Sequence, residues 1–217
     1  MLQLHTSWFN ENFQLGPWFW TVNATLTSPR PLRYQPGSFV DLEVGTLAEA
    51  TEYLRSPKPD LQRMRSLYRI LRSNMPRASH LLSKSTTAAK TTSTDPLAMR
   101  LCYNYSLGFA VLLGLASCFN HLLRNLDCEA QFLMDARGFV DEIILLADQC
   151  APYRPYGASF LPDYLKMVLA STPDSYRASE IEAILVDYEQ DFEGAVFVEE
   201  AFQIRKWLQS QAQAREG

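Results

Sequence analysis

Cys118 and His121 come nearest to a reactive pair in this chain. Three apart on a helix, a thiol and an imidazole share one face, as a cysteine nucleophile and its base would. No positioned third group accompanies them, and apolar surroundings raise a thiol's pKa, so the pair reads as core packing with a hydrogen-bonded histidine. The other histidines, His5 and His80, are too distant in sequence to form a helical metal pair with it or with each other. Cys102, Cys118, Cys128 and Cys150 are separated by 16, 10 and 22 residues, which is neither a zinc ribbon nor a redox Cys-x-x-Cys, and they read as buried thiols. Asp141, Asp148, Glu180 and Glu182 recur at the spacing of a helix surface, with nothing to pair them as general acid and base. Neither a Gly-x-Gly-x-x-Gly turn nor a Gly-x-x-x-x-Gly-Lys loop is present. No cofactor and no metal site is expected.

Charge adds one further candidate. Residues 55 to 90 hold nine Lys or Arg against the single acid Asp60, although the whole chain carries a net charge of −4. Arg65, Arg69 and Arg72 fall on one face of a helix, a stripe able to meet phosphate, an acidic partner or an anionic ligand. The plainer expectation is a solvated face packed near the acidic run Asp187, Glu189, Asp191 and Glu193.

The elements that must position these residues are helices. Only 9 glycines in 217 residues, with 47% hydrophobic content, predict an all-α chain: an irregular bundle of about seven helices in antiparallel pairs. Residues 1–37 read as an irregular aromatic N-terminal strap, because Pro17, Pro29, Pro31 and Pro36 forbid long helices among its tryptophans. Residues 38–82 read as a helical hairpin. Its first helix carries Leu47, Ala50, Tyr53 and Leu54, and its second is capped by Asp60 and stops before Pro76. Residues 83–96, with no apolar side chain larger than alanine, read as a flexible polar loop. Residues 97–217 form the main helical bundle: a helix to about Asn125, one from Asp127 to Cys150, a short one over Leu161–Ala170, one capped by Asp174 or Ser175, and a last one after Gly194. Leu101–Leu123 is 23 residues without a formal charge, long enough to span a bilayer. Asn104, Ser106, Ser117, Asn120 and His121 interrupt it, so it is expected to be a core helix wrapped by its neighbours. With no basic leader before an apolar run, the chain is expected in the cytosol or nucleus, with no membrane association.

Several stretches in order resemble the C-terminal part of the fungal-specific transcription-factor domain, the helical region of zinc binuclear cluster regulators. These are Ser38-Phe39 with Leu47-Ala48-Glu49-Ala50, Met99-Arg100-Leu101, Ala136 to Ala147, Phe160-Leu161-Pro162, Arg177, Ile184-Leu185 and Glu193-Gly194. The six-cysteine zinc cluster is absent. Thr172-Pro173-Asp174 also stands where a Cys-Arg pair is usual, and Ala195 where an aromatic is. The resemblance implies a regulatory module that binds a small apolar ligand or a protein partner and does not itself contact nucleic acid. The alternative is a cofactor-free cyclase, pericyclase or isomerase of fungal secondary metabolism, built on the same scaffold around a shaped apolar pocket. Candidate ligand-binding residues are Trp18, Trp20, Tyr103, Tyr105 and His121, with Arg100 as an anion contact.

Overall fold

The computed structural model describes residues 50, 53, 54, 60–91, 96–126 and 130–216; the predicted N-terminal strap, Trp18, Trp20, Cys128 and the start of the Asp127 helix lie outside them. Every α-helix with described bounds falls in this order: α1 (Leu61–Thr91), α2 (Pro96–Leu126), α3 (Ala130–Cys150), α4 (Leu161–Ser171), α5 (Ala178–Glu189) and α6 (Phe197–Glu216). Two short 3-10 turns, Ala151–Tyr153 and Tyr156–Ala158, join α3 to α4 where Pro152 and Pro155 end α3. No strand occurs among the described residues. Of the expected Leu47–Leu54 helix, Ala50, Tyr53 and Leu54 are helical, and its bounds lie outside the described residues.

The core forms around α2. Leu112, Leu113, Ala116, Cys118, Phe119, Leu122 and Leu123 are fully buried, with α1 on one side, α3 on another and α4 and α6 beyond. Among the described residues this one helix is long and apolar enough to cross a membrane, and most of its apolar stretch is covered by its neighbours. At Gly114 a Cβ would stand 2.9 Å from the Tyr164 ring and 3.1 Å from the Met167 sulfur, so the absence of a side chain there is what lets α4 approach α2 closely. Lys166, buried on α4, bridges Asp163 at 2.9 Å and Glu200 of α6 at 2.5 Å, tying those two helices. Cys102, Cys118 and Cys150 are buried free thiols, as expected for small hydrophobes.

Asp60 caps α1 as its position predicts, its Oδ1 accepting from Gln62 N at 2.9 Å. The far end of α1 departs from expectation. Pro76 lies inside the helix, which continues through the polar tract to Thr91. An interior proline costs about 3 kcal/mol, because it has no N–H for the carbonyl one turn back and crowds it. The apolar stripe Met64, Leu67, Tyr68, Leu71, Met75, Ala78 and Leu82 nevertheless keeps its three-and-four spacing across Pro76. Burial of Leu82 alone offsets about 2 kcal/mol of that cost. In the polar tract, Ser85 Oγ and Thr86 Oγ1 donate to the Leu82 carbonyl and Thr87 Oγ1 to that of Ser83, so hydroxyls that usually favour loops bond to the helix's own backbone.

The start of α5 also differs. Asp174, Ser175 and Arg177 all have left-handed φ near +50°, and Arg177 is the N-cap residue. Its guanidinium holds the turn by binding Asp141 of α3 at 2.5 Å and Glu180 at 2.7 Å.

Candidate functional site

α1 and α3 stand on either side of α2 and leave between them a groove of about 810 Å³. On α1 its wall runs Arg69, Arg72, Ser73, Pro76 and Ser79, one helical face; on α3 it runs Met134, Asp135, Gly138, Asp141 and Glu142, again one face. The buried rings of Phe109 and Phe139, with half-buried Met75, make the interior apolar. Met134 stands at the rim 70% exposed, the second most exposed of the large hydrophobic side chains among the described residues. Gly138 sits in the middle of α3, where glycine costs about 1 kcal/mol of helix stability relative to alanine. A Cβ there would meet nothing within 4 Å, so no neighbour requires the glycine and the space it leaves belongs to the groove.

A polar chain ties both walls to the core beneath them. Asp135, whose side chain is only 8% exposed, accepts from Tyr68 Oη at 2.7 Å and Gln131 Nε2 at 2.7 Å, and pairs with Arg72 Nε at 2.9 Å. Tyr68 Oη in turn accepts from Asn120 Nδ2 at 3.0 Å, and Asn120 also donates to the Phe132 carbonyl at 2.8 Å. Arg124 Nη1 reaches Asn120 Oδ1 at 3.3 Å. Burial, with the Asp135 charge adding to it, pushes the Tyr68 phenol well above its ordinary range, so it stays protonated as the donor the carboxylate needs. On the opposite wall, burial and the neighbouring Asp141 charge raise the Glu142 carboxyl.

Two of the three arginines of the expected basic stripe therefore have a place. Arg69 and Arg72 line the groove, and the acid that meets Arg72 is Asp135 of α3. The acidic run expected to face the stripe serves another cation: Asp187 and Asp191 bind Arg154, whose guanidinium lies 4.0 Å from the centre of the Tyr188 ring. Asp135, Glu142, Met134 and Gly138 were not singled out by sequence. Their common spacing along one face of α3, mixing acids with an exposed methionine and a helix-interior glycine, is the signal that could have found them.

Of the residues expected to share a ligand pocket, those among the described residues are spread along α2. Arg100 is exposed in the early turns of α2, Tyr103 packs edge-on against Phe160 at 5.4 Å, and half-buried Tyr105, two residues on, packs against the core. His121 lies sixteen residues beyond Tyr105 on the same helix, about 24 Å away. Cys118 and His121 are not hydrogen-bonded to each other. Ser171 Oγ donates to Cys118 Sγ at 3.8 Å, and burial pushes the thiol up to about 12. His121 is buried beside Arg124 (3.5 Å) and its Nε2 has no hydrogen-bond partner; burial, then the Arg124 charge, lowers its pKa to about 4. Both groups are neutral, and no thiolate–imidazolium pair forms. Among the described residues, no three His, Cys, Asp or Glu side chains are placed to hold a metal ion.

No protein-family model, curated protein or solved structure matches this chain.

Proposed function

We propose that this chain is a regulatory helical module without a DNA-binding head, of the kind the fungal transcription-factor resemblance implies, and that it works by docking a protein partner in the α1–α3 groove. On this reading about seven helices, packed as antiparallel pairs, form a water-soluble body in the cytosol or nucleus. The observation that carries the proposal is the character of the groove: an apolar interior open at a rim that bears Met134, Arg69 and Asp141, with Gly138 keeping it hollow. A small apolar ligand is the weaker choice, because such ligands are held in enclosed sites with few polar groups, and five charged residues line this one. The cyclase or isomerase alternative lacks comparable support. Its best acid and base, Tyr68 and Asp135, satisfy each other, and Tyr68 is 4% exposed and outside the groove lining.

The test is site-specific photocrosslinking in cells that express the full chain. A photoreactive phenylalanine analogue at Met134 is expected to capture a discrete protein adduct that the same probe at exposed Val196 does not. Gly138→Leu is expected to abolish that adduct while leaving the fold at least as stable, since leucine is the better helix former and meets open space. An adduct pattern identical at Met134 and Val196, or one indifferent to Gly138→Leu, would remove the groove from the account.

A further inference from the structure

Resting on the docking reading, we infer that the occupant of the α1–α3 groove is an amphipathic α-helix of roughly three turns, acidic along the edge that meets α1 and basic along the edge that meets α3. Backbone satisfaction favours a helix over an extended segment. Both walls are helices whose N–H and C=O groups are largely used internally, and no strand edge exists among the described residues to receive an extended segment. An extended peptide would lose water from backbone groups that the walls cannot replace, whereas a helix brings its own hydrogen bonds. The length of the groove suits a short helix. From Arg69 to Ser79 the α1 wall runs about 15 Å, and from Met134 to Glu142 the α3 wall runs about 12 Å, a span that about ten helical residues fill.

Charge sets the occupant's edges. Arg72 and Asp135 neutralise each other across the groove, and Asp141 is bound by Arg177. Arg69 on α1 and Glu142 on α3 remain, one on each wall, with no ion pair between them or to any other described residue. Glu142 already sits against the like charge of Asp141 in a half-buried place, so a cation delivered there relieves a repulsion as well as making a pair. Arg69 offers the complementary welcome to an anion. Rim charges of this kind contribute modestly to affinity and strongly to the choice of partner.

The probes are four three-turn, alanine-based helical peptides with leucine at i, i+3 and i+7, whose two flanking edges are acidic and basic, both acidic, both basic, or neutral. Binding to the full chain is read by fluorescence anisotropy, with circular dichroism confirming that each variant is folded. The mixed-edge peptide is expected to bind tightest, by roughly fivefold over either single-sign peptide. Glu142→Arg is expected to move the preference to the acidic peptide and Arg69→Glu to the basic one, and Gly138→Leu to abolish binding of all four. A neutral-edged peptide that binds best, or a ranking untouched by both charge reversals, would overturn the assignment of the edges while leaving the docking groove in place. Failure of all four peptides to bind would remove the groove's docking role itself.

Discussion

Asp135→Ala is expected to lower the unfolding free energy by about 3 kcal/mol, read from chemical denaturation of the full chain. The substitution removes a nearly buried carboxylate that receives Tyr68, Gln131 and Arg72 together. Tyr68 then keeps only the hydrogen bond it accepts from Asn120, and its hydroxyl proton faces a core with no other acceptor in place. Arg72, half exposed, turns to water and contributes little to the loss. Asp135→Asn retains an acceptor for the phenol, so it should recover about 1 kcal/mol of the cost. The more specific expectation is coupling. Tyr68→Phe should cost less once Asp135 is alanine than it does alone, by about 1 kcal/mol, because one of the two hydrogen bonds it deletes has already gone and only the one from Asn120 is left to lose. Additive effects of the two substitutions would mean that Tyr68 and Asp135 do not act as one unit beneath the groove.

Acid should weaken the protein through His121. Its folded pKa, about 4, lies below the ordinary histidine value of 6.5, so between those two values the unfolded chain binds a proton that the folded chain refuses. The sign follows: this residue costs nothing well above pH 6.5, its penalty grows as pH falls toward 4, and it levels off below. Arg124 on the same helix and Arg205 on α6 are the cations that add to burial in disfavouring the imidazolium. From pH 8 to pH 5 the loss attributable to His121 is about 2 kcal/mol. His121→Gln should flatten the stability profile by that amount over the same interval, whatever its constant effect on stability. A glutamine variant with the same slope as the parent would show that the imidazole titrates normally in the folded state.

Much of the architecture was legible because helices announce themselves in period and punctuation. Asp60 as a cap, the buried uncharged α2, Leu161 to about Ala170 as a short helix and Gly194 before the last one could all be read from residue type and spacing. Local signals misled where tertiary burial opposed them. Pro76 and the serine- and threonine-rich tract both favour ending α1, and the continuing stripe through Ala78 and Leu82 to Ser85, buried against the rest of the fold, overrides them. The left-handed turn before α5 was missed for a related reason: its residues hold that conformation while Arg177 binds Asp141 and Glu180, and the Asp141 contact is 36 residues away in sequence.

The candidate site was legible only in part. Arg69 and Arg72 stood out as a basic face, but the acid opposite them could not be chosen by sequence, since charge pairing between helices depends on which faces pack and Asp135 is no more conspicuous than Asp187. Of the residues favoured for a pocket, Tyr103, Tyr105 and His121 occupy one long helix, which spreads them along its axis, and Trp18 and Trp20 lie outside the described residues. A site between two helices takes its residues at three-and-four spacing from each, and α3's contribution, Met134, Asp135, Gly138, Asp141 and Glu142, follows that rule.

Amide-resolved NMR of the full chain, titrated with the mixed-edge helical peptide, shows whether the face between α1 and α3 is where this protein receives its partner. Chemical-shift changes are expected to gather at residues 69–79 and 134–142 and to vanish in Gly138→Leu. Changes centred on α4, α5 or α6, or changes that persist in the leucine variant, would contradict that role for the α1–α3 face.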